Sequence, residues 1–268
     1  MADSSVDGAY VDLLGEQYYR IRNYNQMAPF FMSIISSGDH WLFISSTGGL
    51  TAGRVNAESA LFPYYTDDKI AENYTNTGPV ACLFVERGDQ VSRWEPFVAH
   101  PPDARQIERN LYKNIVGDKL IFEEVSHALG LTYRYAWRSS DRFGFVRTVW
   151  LQNNLDQPCR VRLLDGVRNL LPHGATTALQ TTMSNLLDAY KRNELDPATG
   201  LGIFALSATL TDRAEPSESL KATVAWQVGL QSPTLLLSTE QLDAFRAGRP
   251  VMQEGDVKGR RGAYLIGA

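Results

Sequence analysis

The stretch LTYRYAWR, residues 131–138, decides the fold of this chain. Leu, Tyr, Tyr and Trp occupy every second position, and Thr, Arg, Ala and Arg occupy the positions between them. Such alternation is typical of a β-strand with one buried and one polar face. We interpret the stripe of Tyr133, Tyr135 and Trp137 as core, in preference to the alternative of a sugar platform on a concave sheet.

The alternation continues on the C-terminal side of this stretch. Segments 143–153 and 159–168 repeat it, and the turn-rich sequences SSDRFG (139–144) and NNLDQP (153–158) separate the three strands. This pattern predicts an antiparallel meander. Further strands are predicted at 18–24, 30–36, 41–46, 80–86, 90–94, 107–114, 119–125, 201–208, 220–228 and 263–266.

Two segments have helical spacing. Residues 177–192 predict one amphipathic helix, and residues 239–246 predict a shorter helix with Thr239 as N-cap and Gly248 as its stop. Many strands with one or two short helices predict a mainly β fold, a large antiparallel sandwich. A single domain over residues 1–268 fits the length and the absence of a repeat or linker. The apolar run GAYLIGA (262–268) leads us to expect that the chain is the N-terminal part of a longer protein.

The composition limits the partners. Lys and Arg number 26 against 30 Asp and Glu, without long runs of one sign, which argues against a nucleic-acid or anionic-membrane partner. The sequence has neither a membrane-length apolar segment nor a secretion signal at its start, so a soluble, cytoplasmic protein is expected. Cys82 and Cys159 lie in apolar strand-like runs and are predicted to be buried, reduced thiols, with a single disulfide as the alternative.

The segment from Arg22 to Ile70 points towards carbohydrate. Short strands joined by loops with Trp, Tyr, Asp and Arg build sugar-binding surfaces, because aromatic faces cover a pyranose and planar charged groups bond its hydroxyls. Within the sequence YYTDDK (64–69), Tyr64 or Tyr65 would stack on the sugar and Asp67 or Asp68 would accept its hydroxyl groups. The favoured alternative is a turn in which Asp67 caps a helical segment over 68–73.

Two more candidates lie nearby. Trp41, beside His40, could clamp a ligand, although a place in the core is favoured for its ring. The glycine-rich segment 46–54 could cradle an anion with Arg54, but it lacks the spacing and the lysine of a phosphate-binding loop and is read as a flexible turn. The candidate ligand-binding residues are therefore Trp41, Arg54, Tyr64, Tyr65, Asp67 and Asp68.

Catalytic motifs are not found. The four histidines and two cysteines lack metal-ligand spacing, so we expect neither a metal nor a cofactor. There is no G-x-S-x-G motif. Glu123, Glu124 and Asp165 are available as acids, but nothing in the sequence marks one of them as catalytic, since the separation of paired carboxylates is a property of the fold.

Three blocks carry a resemblance to a known group of enzymes. They are the RNY…FFMSI, WLFISSTGGLTAGR and LFPYYTDDKI sequences near the N-terminus, FGFVRTVWLQNNLDQPCRVRLLDGVRNLLPHG (143–174), and DRAEPSESLKATVAWQ (212–227). The chain resembles the N-terminal β-sandwich domain of large glycoside phosphorylases and hydrolases related to cellobiose and cyclic-glucan enzymes.

The resemblance implies a galactose mutarotase-like β-supersandwich that precedes a helical domain of the same protein, where the catalytic acid lies. It also implies a sugar or oligosaccharide ligand, a homodimer as an expected assembly, and a contribution of residues 54–69 to the sugar pocket. A carbohydrate-associated, non-catalytic domain is thus the leading hypothesis. One alternative is a stand-alone aldose epimerase with His100 or His173 as acid and Glu123 or Asp165 as base. The other is a structural oligomerisation module.

Overall fold

The computed structural model describes residues 5–208 and 221–268. Strands make up 48% of the structure and helices 14%, so the predicted mainly β, sandwich-like fold is confirmed. The strands described are β1 (Asp7–Leu13), β2 (Glu16–Arg22), β3 (Phe31–Ile34), β4 (His40–Ser45), β5 (Leu50–Arg54), β6 (Ala60–Phe62), β7 (Gly78–Arg87), β8 (Gln90–Trp94), β9 (Ile107–Asn114), β10 (Lys119–Ser126), β11 (Leu131–Ser140), β12 (Gly144–Asn153), β13 (Arg160–Leu170), β14 (Lys191–Asp196), β15 (Leu201–Leu206), β16 (Thr223–Ala225), β17 (Thr234–Leu236), β18 (Asp256–Lys258) and β19 (Gly262–Gly267).

The strands of this described part form four antiparallel sheets. The first sheet has the order β1-β2-β9-β10-β11-β12, and the second has the order β17-β19-β13-β7-β8. The third sheet, β3-β4-β5-β6, and the fourth, β16-β15-β14-β18, are smaller. The predicted meander is present as β11 and β12, which pair over their whole length, but β13 leaves the first sheet and pairs with β7 and β19 in the second.

The main core takes buried residues from all four sheets. Tyr133, Tyr135 and Trp137 are at most 3% exposed, which confirms their interpretation as core. The ring of Phe122 on β10 stacks on Tyr135 with centroids 4.9 Å apart, and Trp94 on β8 meets Tyr133 edge-on at 6.3 Å. Full burial of one such aromatic side chain stabilises the fold by roughly 1.5–3 kcal/mol.

The helices are short and differ from the predicted ones. They are α1 (Asp67–Glu72), α2 (Thr177–Thr182), α3 (Ser184–Tyr190) and α4 (Leu242–Arg246). The prediction of one helix over 177–192 is wrong, because the chain leaves helical geometry at Met183 (φ −137°) and Lys191 begins β14, where it pairs with Leu206. The N-cap of α4 is Gln241 rather than Thr239, whereas Gly248 ends that segment with φ +79°, as predicted.

Six strands have no counterpart in the prediction: β1, β5, β6, β14, β17 and β18. Three of them span only three residues. In β14 (KRNELD) the buried positions are Lys191, Asn193 and Leu195, and a segment with a single apolar residue does not show the period-two pattern of a strand. Of the strand predicted at 220–228, the structure shows β16; Leu220, like residues 212–219 of the third resemblance block, lies outside the described residues.

Both cysteine side chains carry free thiols. Cys82 is fully buried, and burial raises the pKa of its thiol to about 12. Cys159 is only half-buried. The prediction of reduced thiols is therefore confirmed and the disulfide alternative is wrong, while the predicted burial holds for Cys82 and not for Cys159.

Candidate functional site

A cavity of about 320 Å³ opens between the first and second sheets. We call it the sandwich cavity. Its volume is at the lower end of the range of small-molecule sites, roughly 300–1,000 Å³. Its lining combines aromatic side chains, charged side chains and loop segments: Phe97, Tyr133, Tyr135, Glu95, Arg168, Arg246, and residues from 47–48, 74–75, 79–81 and 96–99.

One wall of the cavity is aromatic. The ring of Phe97 meets Tyr135 edge-on with centroids 5.2 Å apart and contacts Tyr133 at 6.2 Å. Behind them, Tyr135 is held between Phe122 and the guanidinium of Arg147, which lies 5.2 Å from its ring centroid. This packing makes the wall a rigid apolar surface, the kind that covers the C–H face of a small ligand.

The loop that carries Phe97 is fixed by a buried carboxylate. Glu124 is fully buried and accepts hydrogen bonds from Trp94 Nε1 (2.8 Å), the Phe97 backbone N–H (2.6 Å) and Arg109 Nε (2.8 Å). Arg109 in turn donates to the carbonyl of Val98 at 2.7 Å. Phe97 has φ +64°, a left-handed backbone conformation that residues other than Gly rarely adopt. The carboxylate therefore stabilises the rim in a conformation that the loop sequence alone disfavours.

Arg168 is the buried cation of the cavity. It lies on β13 and is 9% exposed. Its terminal nitrogens donate to the backbone carbonyls of Tyr74 (2.8 Å), Thr75 and Pro79 (3.2 Å), whereas its Nε has no acceptor in the described part of the chain. Burial, and then the nearby Arg246, lower the pKa of Arg168 to about 10. Such a shift indicates a positive charge that the protein leaves incompletely compensated.

The other two charged residues compensate each other. Arg246 Nε donates to Glu95 at 2.9 Å, and Arg246 Nη1 donates to Asp243 at 3.0 Å. Glu95 also lies 3.5 Å from Arg93 Nε. Glu95 and Arg246 therefore place a preorganised pair of opposite charges at the cavity, able to bond hydroxyl groups in both directions.

A second buried network supports the aromatic wall. Arg147 donates to both oxygens of Asp165 (2.7 and 2.8 Å) and to the Tyr133 hydroxyl (2.8 Å), while that hydroxyl donates to Asp165. Burial holds the pKa of Tyr133 well above its ordinary value. Burial by itself lowers the pKa of Arg147, but the Asp165 carboxylate outweighs that effect and holds this pKa above its ordinary value. Tyr133 thus stays protonated, and the network orients the wall rather than supplying a base.

The sandwich cavity contains none of the six predicted ligand-binding residues among its lining. Trp41 and Tyr64 do meet, edge-on with ring centroids 5.8 Å apart. Trp41 also contacts Phe43 at 5.7 Å, and Phe43 stacks on Phe31 at 5.4 Å. We call Tyr64, Trp41, Phe43 and Phe31 the outer aromatic row; its two end members are exposed.

The position of the Trp41 ring in this row requires a glycine at residue 53. A side chain at Gly53, opposite Trp41 in the β4–β5 pairing, would lie 2.4 Å from the indole ring. The side chain of Trp41 is half-buried. It is therefore neither fully within the core, the location that the sequence favoured, nor freely exposed. Arg54 is exposed at the end of β5 and forms a long ion pair with Asp39 at 3.9 Å.

The remaining predicted residues belong to the start of α1. The helix begins at Asp67, one residue earlier than expected, and Thr66 rather than Asp67 is the N-cap residue. The Thr66 hydroxyl donates to Asp68 at 2.6 Å and lowers the pKa of that carboxyl. Two acidic residues in a first turn are favoured by the helix dipole. Tyr65 is half-buried, which raises its pKa. A local structural role therefore accounts for the acidic pair.

The residues of the epimerase alternative lie apart from the cavity lining. His100 and His173 are exposed. Glu123 accepts hydrogen bonds from Asn110 (2.8 Å), Tyr112 (2.7 Å) and Arg134. Asp165, as described above, is bound by Arg147 and Tyr133. Both carboxylates are thus engaged in buried networks.

Sequence reasoning missed Phe97, Glu95, Arg168 and Arg246. One signal was present: Arg168 is a single cation within the apolar strand LLDGVRNLL (163–171). A buried cation without an adjacent acidic residue is uncommon and points to a functional or structural constraint. The glycine-rich segment that we considered does reach the cavity, through Thr47 and Gly48.

Within residues 5–208 and 221–268, no group of three or more His, Cys, Asp or Glu has the arrangement of a metal site. The helices in the same ranges are too short or too polar to cross a membrane. In comparisons with known proteins, no family model matches the chain, and no curated protein is significantly similar to it.

Proposed function

We propose that this chain is a saccharide-binding β-sandwich domain and that the sandwich cavity is its sugar site. One observation carries the proposal: an apolar aromatic wall and the Glu95–Arg246 pair converge on a single cavity of about 320 Å³. A sugar ring has apolar C–H faces and polar hydroxyl edges, so a site for it needs both kinds of surface close together.

The cavity offers each kind of contact. Phe97 and Tyr135 face the apolar side of a ligand, and Glu95 and Arg246 supply a charged acceptor and charged donors for hydroxyl groups. Charged partners make hydrogen bonds to hydroxyls stronger than neutral partners do. Because Glu124 fixes the Phe97 loop before binding, little conformational entropy is lost when the ligand enters.

The proposal also places the domain within a carbohydrate-active enzyme. Support comes from the resemblance to the N-terminal domains of glycoside phosphorylases and hydrolases. In that setting the domain would shape the sugar site and pack against a helical domain of the same protein. The expected result for the 268-residue chain by itself is binding without hydrolysis or phosphorolysis; turnover by the purified chain would contradict this part of the proposal.

A second location is favoured by the outer aromatic row. Its three consecutive ring contacts, at 5.8, 5.7 and 5.4 Å, form a continuous aromatic strip that could carry a longer saccharide. Tyr64 is 48% exposed and Phe31 is 44% exposed, so the strip is reachable from solvent at both ends. The function would be the same, but the binding surface would lie on the third sheet.

NMR titration with methyl β-glucoside and cellobiose tests the proposal and separates the two locations. We expect saturable shifts for the unaltered chain, their loss in Phe97→Ala, and their retention in the matched aromatic variant Tyr64→Ala. Retention in Phe97→Ala together with loss in Tyr64→Ala would move the site to the outer aromatic row. Absence of saturable shifts with both saccharides, in a folded chain, would contradict saccharide binding.

A further inference from the structure

The side chain of Arg168 has more hydrogen-bonding capacity than the protein uses. A guanidinium carries five N–H donors, and three backbone carbonyls accept from the terminal nitrogens of Arg168. Holding the segment 74–79 in place explains those three bonds. Within the described residues, the buried Nε of Arg168 has no acceptor. The buried Nε atoms of Arg20, Arg87 and Arg147 also lack an acceptor there, but of these four arginines Arg168 is the one that lines the sandwich cavity. A buried, charged donor with incomplete hydrogen bonding is costly, so its location beside a cavity points to a ligand that supplies an acceptor to this guanidinium.

The charges around the cavity do not balance. Arg246 pairs with Glu95 and Asp243, and Glu95 also lies 3.5 Å from Arg93, so these four residues are neutral as a group. Arg168, which lines the same cavity, adds a positive charge to them. Within the described residues, no carboxylate lies within ion-pair distance of Arg168. One positive charge therefore remains, and a ligand with a single negative charge would neutralise it, whereas a doubly charged ligand would leave an excess of negative charge in a partly buried site.

We infer that the sandwich cavity binds a ligand that carries a singly charged oxyanion, a carboxylate or a sulfate ester, against Arg168. For a saccharide this means an acidic sugar such as a uronate. The inference deepens the proposed function and rests on it for the sugar part of the ligand. The oxyanion part stands on the geometry of Arg168 and can be tested without a sugar.

A matched pair of ligands tests it on the unaltered chain. Methyl β-glucuronide differs from methyl β-glucoside only in a carboxylate that replaces a hydroxymethyl group. We expect the glucuronide to bind about tenfold or more tightly, as a charge-assisted bond replaces a neutral one. Equal affinity for the two would overturn the oxyanion inference and leave saccharide binding intact.

Variants of the charged residues give effects of opposite sign. Arg168→Gln is expected to reduce the preference for the glucuronide towards equality, and Glu95→Gln is expected to increase it, because the net positive charge of the cavity rises. Glu240→Gln is the charge-matched control: Glu240 is exposed, pairs with Arg260 at 3.0 Å, and lies outside the cavity lining. A preference that Glu240→Gln changes as much as Glu95→Gln would show a general charge effect and overturn the inference.

Arg168→Gln loses the carbonyl contacts and could unfold the 74–79 segment, so a measurement without variants is needed. Sodium acetate, compared with sodium chloride at the same ionic strength, should raise the thermal unfolding temperature of the unaltered chain. Stabilisation by acetate with no binding of either glycoside would keep the oxyanion site and contradict the proposed sugar function. If acetate has no effect and the two glycosides bind equally, the oxyanion site is contradicted and saccharide binding stands. If the chain responds to none of the three compounds, the oxyanion site and saccharide binding are both contradicted.

Discussion

The Glu124 carboxylate accepts a 2.6 Å hydrogen bond from the backbone N–H of Phe97, whose φ is +64°. Glu124 is on β10, inside the first sheet, and Phe97 is on the rim of the sandwich cavity. This bond therefore connects the buried interior of a sheet directly to the surface that we propose for saccharide binding.

Glu124→Gln should destabilise the fold by about 3–5 kcal/mol. The substitution leaves Arg109 without its buried ionic partner and puts an amide N–H₂ in place of one carboxylate oxygen, facing either the Trp94 donor or the Phe97 and Arg109 donors. Urea unfolding measures the free energy. The exposed Glu240→Gln variant is the control and should change stability by no more than about 1 kcal/mol. Similar losses in the two variants would contradict the role given to Glu124.

Phe97→Gly should be more stable than Phe97→Ala by about 1 kcal/mol. Both variants lack the aromatic ring, but Gly adopts φ +64° without the steric cost that Ala has there. The usual order in regular structure is the reverse, since Gly loses more backbone entropy on folding. Comparison of urea midpoints at equal m-values decides the order, and a more stable Ala variant would show that the loop relaxes out of this conformation.

Asp165→Asn should cost about 3–5 kcal/mol, because it leaves the guanidinium of Arg147 buried without a carboxylate. The double variant Arg147→Met/Asp165→Asn should lose less than the sum of the two single losses, since each single variant leaves one buried charge without its partner and the double variant leaves none. A double-mutant cycle from urea unfolding gives the coupling energy. Simple additivity would mean that the pair is not coupled as the 2.7 and 2.8 Å bonds indicate.

Stability should fall as the pH rises above about 10. Burial raises the pKa values of Tyr24, Tyr112, Tyr133 and Tyr135 in the folded chain, while unfolded tyrosines ionise near pH 10. Above that pH the unfolded state binds fewer protons than the folded state. Each tyrosine therefore reduces the unfolding free energy by up to about 1.4 kcal/mol per pH unit, while its contribution is fully present at lower pH.

Urea unfolding between about pH 9 and pH 11, with tyrosinate absorbance in parallel, measures this slope. Tyr112→Phe removes one phenol with a raised pKa and should make the slope shallower by the amount expected for one tyrosine. A slope that is unchanged by this substitution, or stability that rises above pH 10, would contradict the burial of these phenols.

The β-strands with alternating apolar residues could be predicted from sequence. β8 and β9 have the predicted bounds, and β11 confirms both the strand and its buried face. Period-two alternation is a local property, so it is visible in the sequence. The strand β5 (LTAGR) was missed because its small residues and glycine read as a turn, and its pairing with β4 exists only in the folded sheet.

The cavity could not be predicted for a related reason. Its charged residues come from β13, from the segment after β8 and from α4, and Arg246 and Glu95 are 151 positions apart. The acidic pair Asp67 and Asp68 was conspicuous because its members are adjacent, and the fold uses them to begin a helix. Adjacency in sequence thus identified a local turn, whereas the candidate site depends on contacts that sheet packing alone creates.

The most direct test of saccharide binding in the sandwich cavity is the crystal structure of the chain with methyl β-glucuronide. The account predicts one sugar ring against Phe97, hydroxyl contacts to Glu95 or Arg246, and the carboxylate within hydrogen-bond distance of Arg168. A ring that lies instead on Trp41 and Tyr64, with the sandwich cavity filled by water, would contradict it.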